Sequence, residues 1–510
     1  MTTRGVVAVA ILGAWLVALG WHVRREYFGA PGLALAQGAR GLAPGTHFFV
    51  VRMDGSAIGY ASARFDTVPD GYVFEDQTIL DVPTMGNVQR ATTRTHVELD
   101  QRLGLRAFEF ALQSAIGEFR VNGTLGVDSA LDLRIGAGGE EQHSRLDVAR
   151  DVLLDAVVPL RLAASGGLEV GHAFSVMVFD PSAMAQRRLA MTVAAADTFI
   201  VADSVRYDGA TGTFETTVYD TVPVWRLDQA FGGATVQTWV DEDGQMVRAE
   251  SPLGFTIERT VFELARAEFD AARGRAERAV GYGSVIESTA IASNVDVDDV
   301  ALMPRLAVRL RNVDLTGFDL AGGRQALHGD TLIITRETDV LRAGYALPYS
   351  GSGAPVAQLE STPLIQADDP RIVALARDIT GGTQDPADAA RLLNDWVHRT
   401  LRKEITLSVP SALQVLEGGR GDCNEHTVLY VALARAIGLP ARTAAGLVHI
   451  RGRFYYHAWP EVWLGNDWAA VDPTLGQYPA DASHIRFILG GLARQVELVR
   501  LIGRLQLEVV

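Results

Sequence analysis

The 510-residue chain contains a single cysteine, Cys423, within GDCNEHTVLYVALARAIGLPAR at 421–442. Asp422 suits a helix N-cap, and Glu425, three residues on, completes a capping-box pattern. The apolar residues that follow keep a helical period until Gly438, with Pro440 just beyond, so a helix is predicted to begin at the cysteine and stop near Gly438. A thiol in the first turn of a helix sits among N–H groups that lack intrahelical partners, at the positive end of the dipole, which favours the thiolate. The same N–H groups could receive the oxyanion that forms when sulfur attacks a carbonyl. Taken alone, a cysteine here is more simply a small buried hydrophobe; the downstream residues decide between the two.

A thiol nucleophile needs a base. RGRFYYHAWPEVWLGNDWAAVDPT at 451–474 reads as two strands about Gly465-Asn466. With those two residues as the turn, Leu464 faces Asp467 and, counting outward, Trp459 faces Asp472. His457 then shares a sheet face with Asp472, diagonally displaced, with Cβ atoms roughly 7–8 Å apart or less. A carboxylate there would fix the imidazole tautomer and stabilise its charged form, completing a nucleophile, a base and an orienter. A three-residue loop would place the two on opposite faces, so the inference stands on the register.

Gly421-Asp422-Cys423 opening a helix, ARAIGLPAR at 434–442, YHAWPEVW around His457 and VDPT around Asp472 together resemble the core of the transglutaminase-like superfamily, over about 370–475. The resemblance implies a papain-like fold with the cysteine on a helix and the histidine and aspartate on strands. It implies Cys423 as nucleophile, His457 as base and Asp472 as orienter, with no cofactor and no metal. Such families include protein cross-linking enzymes, peptidases, peptide N-glycanases and inactive scaffolds, and the match at all three triad positions argues against the last. Glu425 and His426 are read as cap and helix surface, and His449 as exposed between strands. Trp459, Trp463 and Trp468 could line an acyl-donor groove, although core packing suits at least two of them. Gln414 is a weak candidate for an extra oxyanion donor and fits a helix surface better; Arg442 reads as structural.

The elements that must position these residues are legible from about 368. Asp369-Pro370 and Asp385-Pro386 are N-cap and first-turn pairs for two helices, and Leu393, Trp396, Val397 and Leu401 form the buried stripe of the second. Ser411 caps a short helix before the cysteine. Upstream the pattern is β. THFFVVRMDGSAIGYASARF turns at Asp54-Gly55 and ATVQTWVDEDGQMVRAES at Asp243-Gly244, with strand-like runs between and a helical interlude near 145–165. The regions expected are a linker at 26–44, an antiparallel β-rich domain at 45–265, a helical connector with a second β-rich region at 266–360, and the transglutaminase-like domain at 361–510. Asp296, Asp298 and Asp299 lack the glycine and terminal glutamate of a calcium loop and read as a solvated turn.

Residues 5–23 carry no charged side chain and are flanked by Arg4 and by Arg24, Arg25 and Glu26. Residues 1–25 are therefore read as an uncleaved membrane anchor, with a cleaved signal segment as the alternative. The net charge of -15 leaves no basic stripe for phosphates and argues against nucleic acid. One cysteine excludes an internal disulfide and a multi-cysteine zinc site, and in an oxidising compartment it leaves a reactive thiol nothing in the chain to pair with. The fold class expected is α+β: a C-terminal transglutaminase-like cysteine domain behind antiparallel β-rich domains and an N-terminal membrane anchor, the bulk of the chain lying outside the cytoplasm. The function expected is acyl transfer from protein or peptide amides through a Cys423 thioester. The alternative is a non-catalytic envelope binding protein that retains the fold.

Overall fold

Asp54-Gly55 joins the strands Gly45–Met53 and Ser56–Val68 in a tight hairpin, and the same device at Asp243-Gly244 joins Ala234–Val240 to Met246–Glu250. Repetition of such hairpins builds a fourteen-stranded antiparallel sheet from Gly45 to Thr260. In this computed structural model the described residues are 31–510, apart from 85–86, 116, 138–139, 232–233, 253, 277–289, 296–302, 338–341, 407 and 466. Within each of two runs, 45–147 and 173–260, consecutive strands pair, and Gly45–Met53 also pairs with Phe255–Thr260, which fuses the two meanders into one sheet.

Alternation gives the sheet two different faces. One carries Phe65, Val97, Leu99, Phe108, Val121 and Leu227, buried beneath the helix Val158–Ala164. The other takes the connector helix Phe262–Ala276, whose Phe262 and Phe269 rings pack on Phe48 and Tyr60.

The strands that precede residue 361 share the C-terminal core. Arg305–Arg311 pairs with both Thr331–Thr335 and the chain's last strand, Gln506–Val509, while Ile291–Ala292 adds an edge to Arg453–Trp463. Leu306, Val308, Leu332 and Ile334 accordingly lie in one cluster with Leu447, Phe454, Ile485 and Phe487. Two buried arginines tie the layers together. Arg324 donates to the carbonyls of Ala480 and Asp481 at 3.1 and 2.7 Å, and Arg486 to those of Asp319, Ala321 and Gly322 at 3.0 Å each.

The helices follow their caps. The Asp369 and Asp385 side chains accept from first-turn N–H groups of Pro370–Thr380 and Pro386–Thr400, and Leu393 and Val397 are fully buried against the helix that begins at Cys423. The wide sheet reaches this domain through a hairpin tip: Gln414 Nε2 donates to the Glu118 carbonyl at 2.7 Å and the Arg420 guanidinium to the Ala115 carbonyl. Val409 joins the sheet's apolar cluster from the other side.

The expected membrane anchor at 1–25 and the aspartates at 296–299 lie outside the described residues. Among the described residues no helix is long and apolar enough to cross a membrane.

Candidate active site

Cys423 is the first residue of the helix Cys423–Ala436. The N-cap Asp422 accepts from Asn424 N–H at 2.9 Å, and Glu425 Oε2 accepts in return from Asp422 N–H at 2.9 Å, closing the capping box. The glycine before the cap is a matter of space: a Cβ on Gly421 would lie 2.2 Å from Glu425 Cβ. Glu425 Oε1 accepts further from the hydroxyls of Thr406 and Ser408, at 2.7 and 2.5 Å, so a buried carboxylate pins the turn that presents the cysteine. The reading of Glu425 and His426 as helix surface is therefore corrected. Both are buried, and His426 Nδ1 hydrogen-bonds the Asp422 carbonyl at 2.6 Å.

The thiol is tuned differently from the sequence expectation. Cys423 is half-buried, and the low polarity around its sulfur, with the Asp422 carboxylate next in importance, pushes the thiol well above its ordinary range despite a backbone hydrogen bond from Ala458. Asp422 is itself pushed up, by burial and by the neighbouring Glu425 carboxylate. The capping carboxylates thus offset what the helix terminus offers a thiolate. Asp422 also occupies the next N–H groups of the first turn, so among the described residues Cys423's own N–H is the first-turn donor left over.

The hairpin follows the expected register. Trp463 pairs with Trp468, Val462 with Ala469 and Glu461 with Ala470, which sets Leu464 opposite Asp467. Val471 N–H extends the pairing to the Pro460 carbonyl at 3.0 Å. His457 and Asp472 are brought together in consequence, with Nε2 to Oδ2 at 2.8 Å and both residues buried. The sulfur meets the same strand at Ala458, the residue after His457. With Nε2 committed to Asp472, Nδ1 is the ring nitrogen not engaged by that carboxylate.

A second histidine completes the arrangement. His484, fully buried, bridges Asp472 Oδ2 at 3.0 Å and Asp481 Oδ1 at 3.1 Å. Burial alone would lower it, but the two carboxylates outweigh that and raise it to about 9, so it is an imidazolium at neutral pH. Burial would likewise raise Asp472, yet His457 and His484 hold it far below the ordinary carboxylate range. Its other oxygen accepts from Thr474 and Leu475 N–H at 2.7 and 3.0 Å. His457, Asp472 and His484 also offer three ligand atoms within 4.8 Å of one another.

His484 and Asp481 escaped the sequence reading. The only local signal is an aspartate three residues before a histidine in PADASHIRF; its partner Asp472 is reached through a loop, folded back by paired hydrogen bonds between Asp472 and Gln477 and by Ala480 N–H on the Ala470 carbonyl. Other readings change too. His449, expected between strands and exposed, lies within Ala441–Ile450 and is buried beside Phe454, the ring centroids 5.1 Å apart. Gln414 is buried rather than on a helix surface, and its amide is spent on the Glu118 carbonyl. Trp459 is fully buried, stacked on His457 at 6.1 Å and edge-on to His484 at 5.1 Å, so it forms the wall behind both rings. Trp463 and Trp468 are half-buried and pack on each other at 5.5 Å. Arg442 is structural, paired with the buried Glu461.

Comparison with known proteins agrees on the class of domain. Residues 373–473 match the model of the Transglutaminase-like superfamily, and this chain carries a domain of that superfamily there. Among solved structures it is similar to a candidate cysteine protease from Cytophaga hutchinsonii, at 15% identity over 40% of this chain and 81% of that one, with a TM-score of 0.26. It is similar also to the periplasmic domain of TgpA from Pseudomonas aeruginosa, bound to ethylmercury, at 21% identity over 35% and 74% of the two chains, with a TM-score of 0.24. No protein of curated function matches the chain. At such TM-scores the solved structures add nothing to the case, which rests on the family match and the site's own geometry.

Proposed function

We propose that the protein is a cysteine-dependent acyl-transfer enzyme that attacks protein or peptide amides through a thioester at Cys423. The observation that carries this reading is the Asp472–His457 hydrogen bond behind a thiol at a helix N-terminus. In the first step the Cys423 sulfur bonds to the amide carbonyl carbon while its proton passes to His457 Nδ1. The oxyanion of the tetrahedral species takes the Cys423 N–H. Collapse breaks the C–N bond, and His457 returns the proton to the departing amine. Water or a second amine then attacks the thioester, giving up its proton to His457 and releasing Cys423 as the thiol. Because burial and nearby carboxylates raise the thiol, proton transfer accompanies attack, and Asp472 serves by fixing the tautomer and balancing the imidazolium.

The reading includes an extracytoplasmic site for the bulk of the chain, motivated by the charge-free run at 5–23. A reporter fused at the C-terminus should be active only outside the cytoplasm; activity inside would overturn that part. The enzymatic part is tested by proteomic comparison of cells carrying wild type and Cys423→Ala. Cleaved or cross-linked envelope proteins that vanish with the thiol support it. Identical proteomes, together with no covalent capture by a thiol-reactive amide probe, favour a non-catalytic binding protein.

A further inference from the structure

The inner face of the fourteen-stranded sheet carries two apolar clusters instead of one. Phe65, Leu160, Met191 and Leu227 belong to the first, and Phe49 and Ala61 to the second. Between them lies a cavity of about 340 Å³ that both sets line. The lining mostly follows strand alternation, with His47 and Phe49 from one strand, Ala61, Ala63 and Phe65 from the next, with Ser62 between them, and Phe74, Asp76 and Thr78 from the third, so the cavity lies chiefly against one sheet face. Interiors normally leave few voids larger than a water molecule, whereas this volume falls in the range of small-molecule pockets. The roof is the start of the helix Val158–Ala164 together with the hairpin tip at Gly244. A Cβ on Gly244 would lie 2.4 Å from the Pro159 carbonyl oxygen, so the tip can close onto the helix only as glycine.

The polar groups around this apolar space have one sign. Among the described residues no lysine or arginine lines it, Arg259 lying near His47 but outside the lining. Asp76 projects from its wall, and among the described residues its partner is the Thr95 hydroxyl at 3.2 Å, with no ion pair. Burial raises its carboxyl to about 6, so a cation placed beside it would favour the ionised form. Asp155, the other acid of the lining, is paired with Arg187. His47 contributes no charge, since burial and the nearby Arg259 lower it to about 4. An ionised carboxylate against apolar walls is costly without a countercharge.

We propose that this cavity is a binding site for a small apolar molecule bearing a protonated amine, its ammonium on Asp76 and its body against Phe49, Phe65 and Leu227. The site stands independently of the cysteine chemistry, on a different sheet and a different core.

The test uses three molecules with one body and three charges: 4-phenylbutylamine, 4-phenylbutan-1-ol and 4-phenylbutyrate. Each is titrated calorimetrically into the full-length protein in lipid nanodiscs, with empty discs as blank. A charge-assisted hydrogen bond should make the amine bind about tenfold more tightly than the alcohol, and the carboxylate bind weakest. Asp76→Asn should remove that preference while leaving the alcohol's affinity within about twofold of wild type. Ala61→Phe should fill the space and abolish binding of all three with the circular dichroism spectrum unchanged; should that variant not fold, the Asp76→Asn comparison decides by itself. Absence of saturable amine binding, equal affinities across the series, or undiminished amine binding to Asp76→Asn would each overturn the proposal.

Discussion

His457 and His484 share one oxygen atom. Their Nε2 atoms lie 2.8 and 3.0 Å from Asp472 Oδ2. Because His484 is also held by Asp481, its positive charge is shared between two buried carboxylates. Asp472 holds the His457 ring in one orientation and one tautomer and faces it with its charge, with Trp459 packed on both rings. This arrangement has separate consequences for stability and for reactivity.

The stability consequence follows from the signs of the shifts. His484 is raised above its unfolded value, so its contribution is fully present below about pH 6.5 and is lost as pH rises through about 9. Asp472 and Asp481 are depressed, so their contribution is present above about pH 4 and fades only in stronger acid. His484→Gln should therefore lower stability by about 3 kcal/mol or more between pH 4 and 6.5, since it leaves two buried carboxylates without their cation. The difference should shrink towards pH 9 and above. Thermal denaturation of both proteins across pH checks this, and a pH-independent gap would contradict the charged state assigned to His484.

Asp472→Asn should leave the fold intact by circular dichroism and reduce turnover on any substrate, or of a p-nitrophenyl ester, by about 10³–10⁴. His457→Ala should be at least as damaging, because it removes the base itself. Wild-type activity in a folded Asp472→Asn protein would mean that the hydrogen bond between these residues has no part in the chemistry.

The scaffold under the site makes its own prediction. Glu461, 1% exposed, accepts from Arg442 through Oε2 at 2.6 Å and from Arg486 through Oε1 at 2.9 Å, and Arg442 lies 4.0 Å from the Trp468 ring centroid. Glu461→Gln would leave two guanidinium groups short of their counter-ion and should cost about 3–5 kcal/mol in chemical denaturation. A loss under about 1 kcal/mol would show the pairs to be marginal.

Much of the site was legible because its determinants are local. Asp422 and Glu425 announce the start of a helix in four residues, and Gly465-Asn466 fixes a register that carries His457 to Asp472. What was not legible depends on distant partners. His484 looks ordinary until the loop after Asp472 folds back, and the burial of Glu425 depends on Thr406 and Ser408, upstream of the helix. The thiol's upward shift likewise arises from burial and converging carboxylates, whereas the sequence shows only a helix terminus. In the β-rich region alternation and turn residues reveal strands, but no local pattern shows that Gly45–Met53 closes on Phe255–Thr260 or that Arg305–Arg311 pairs with the chain's last strand.

The central claim is that His457 activates Cys423, and the pH dependence of Cys423 alkylation tests it without knowledge of the substrate. Because burial and nearby carboxylates raise the thiol, it should react readily at neutral pH only where His457 can accept its proton. Iodoacetamide should alkylate wild type at pH 7 about tenfold or more faster than His457→Ala, whose rate should rise only above the ordinary thiol pKa of about 8.5. Superimposable pH–rate profiles for the two proteins would contradict the account, because the thiol would then be indifferent to the His457 imidazole.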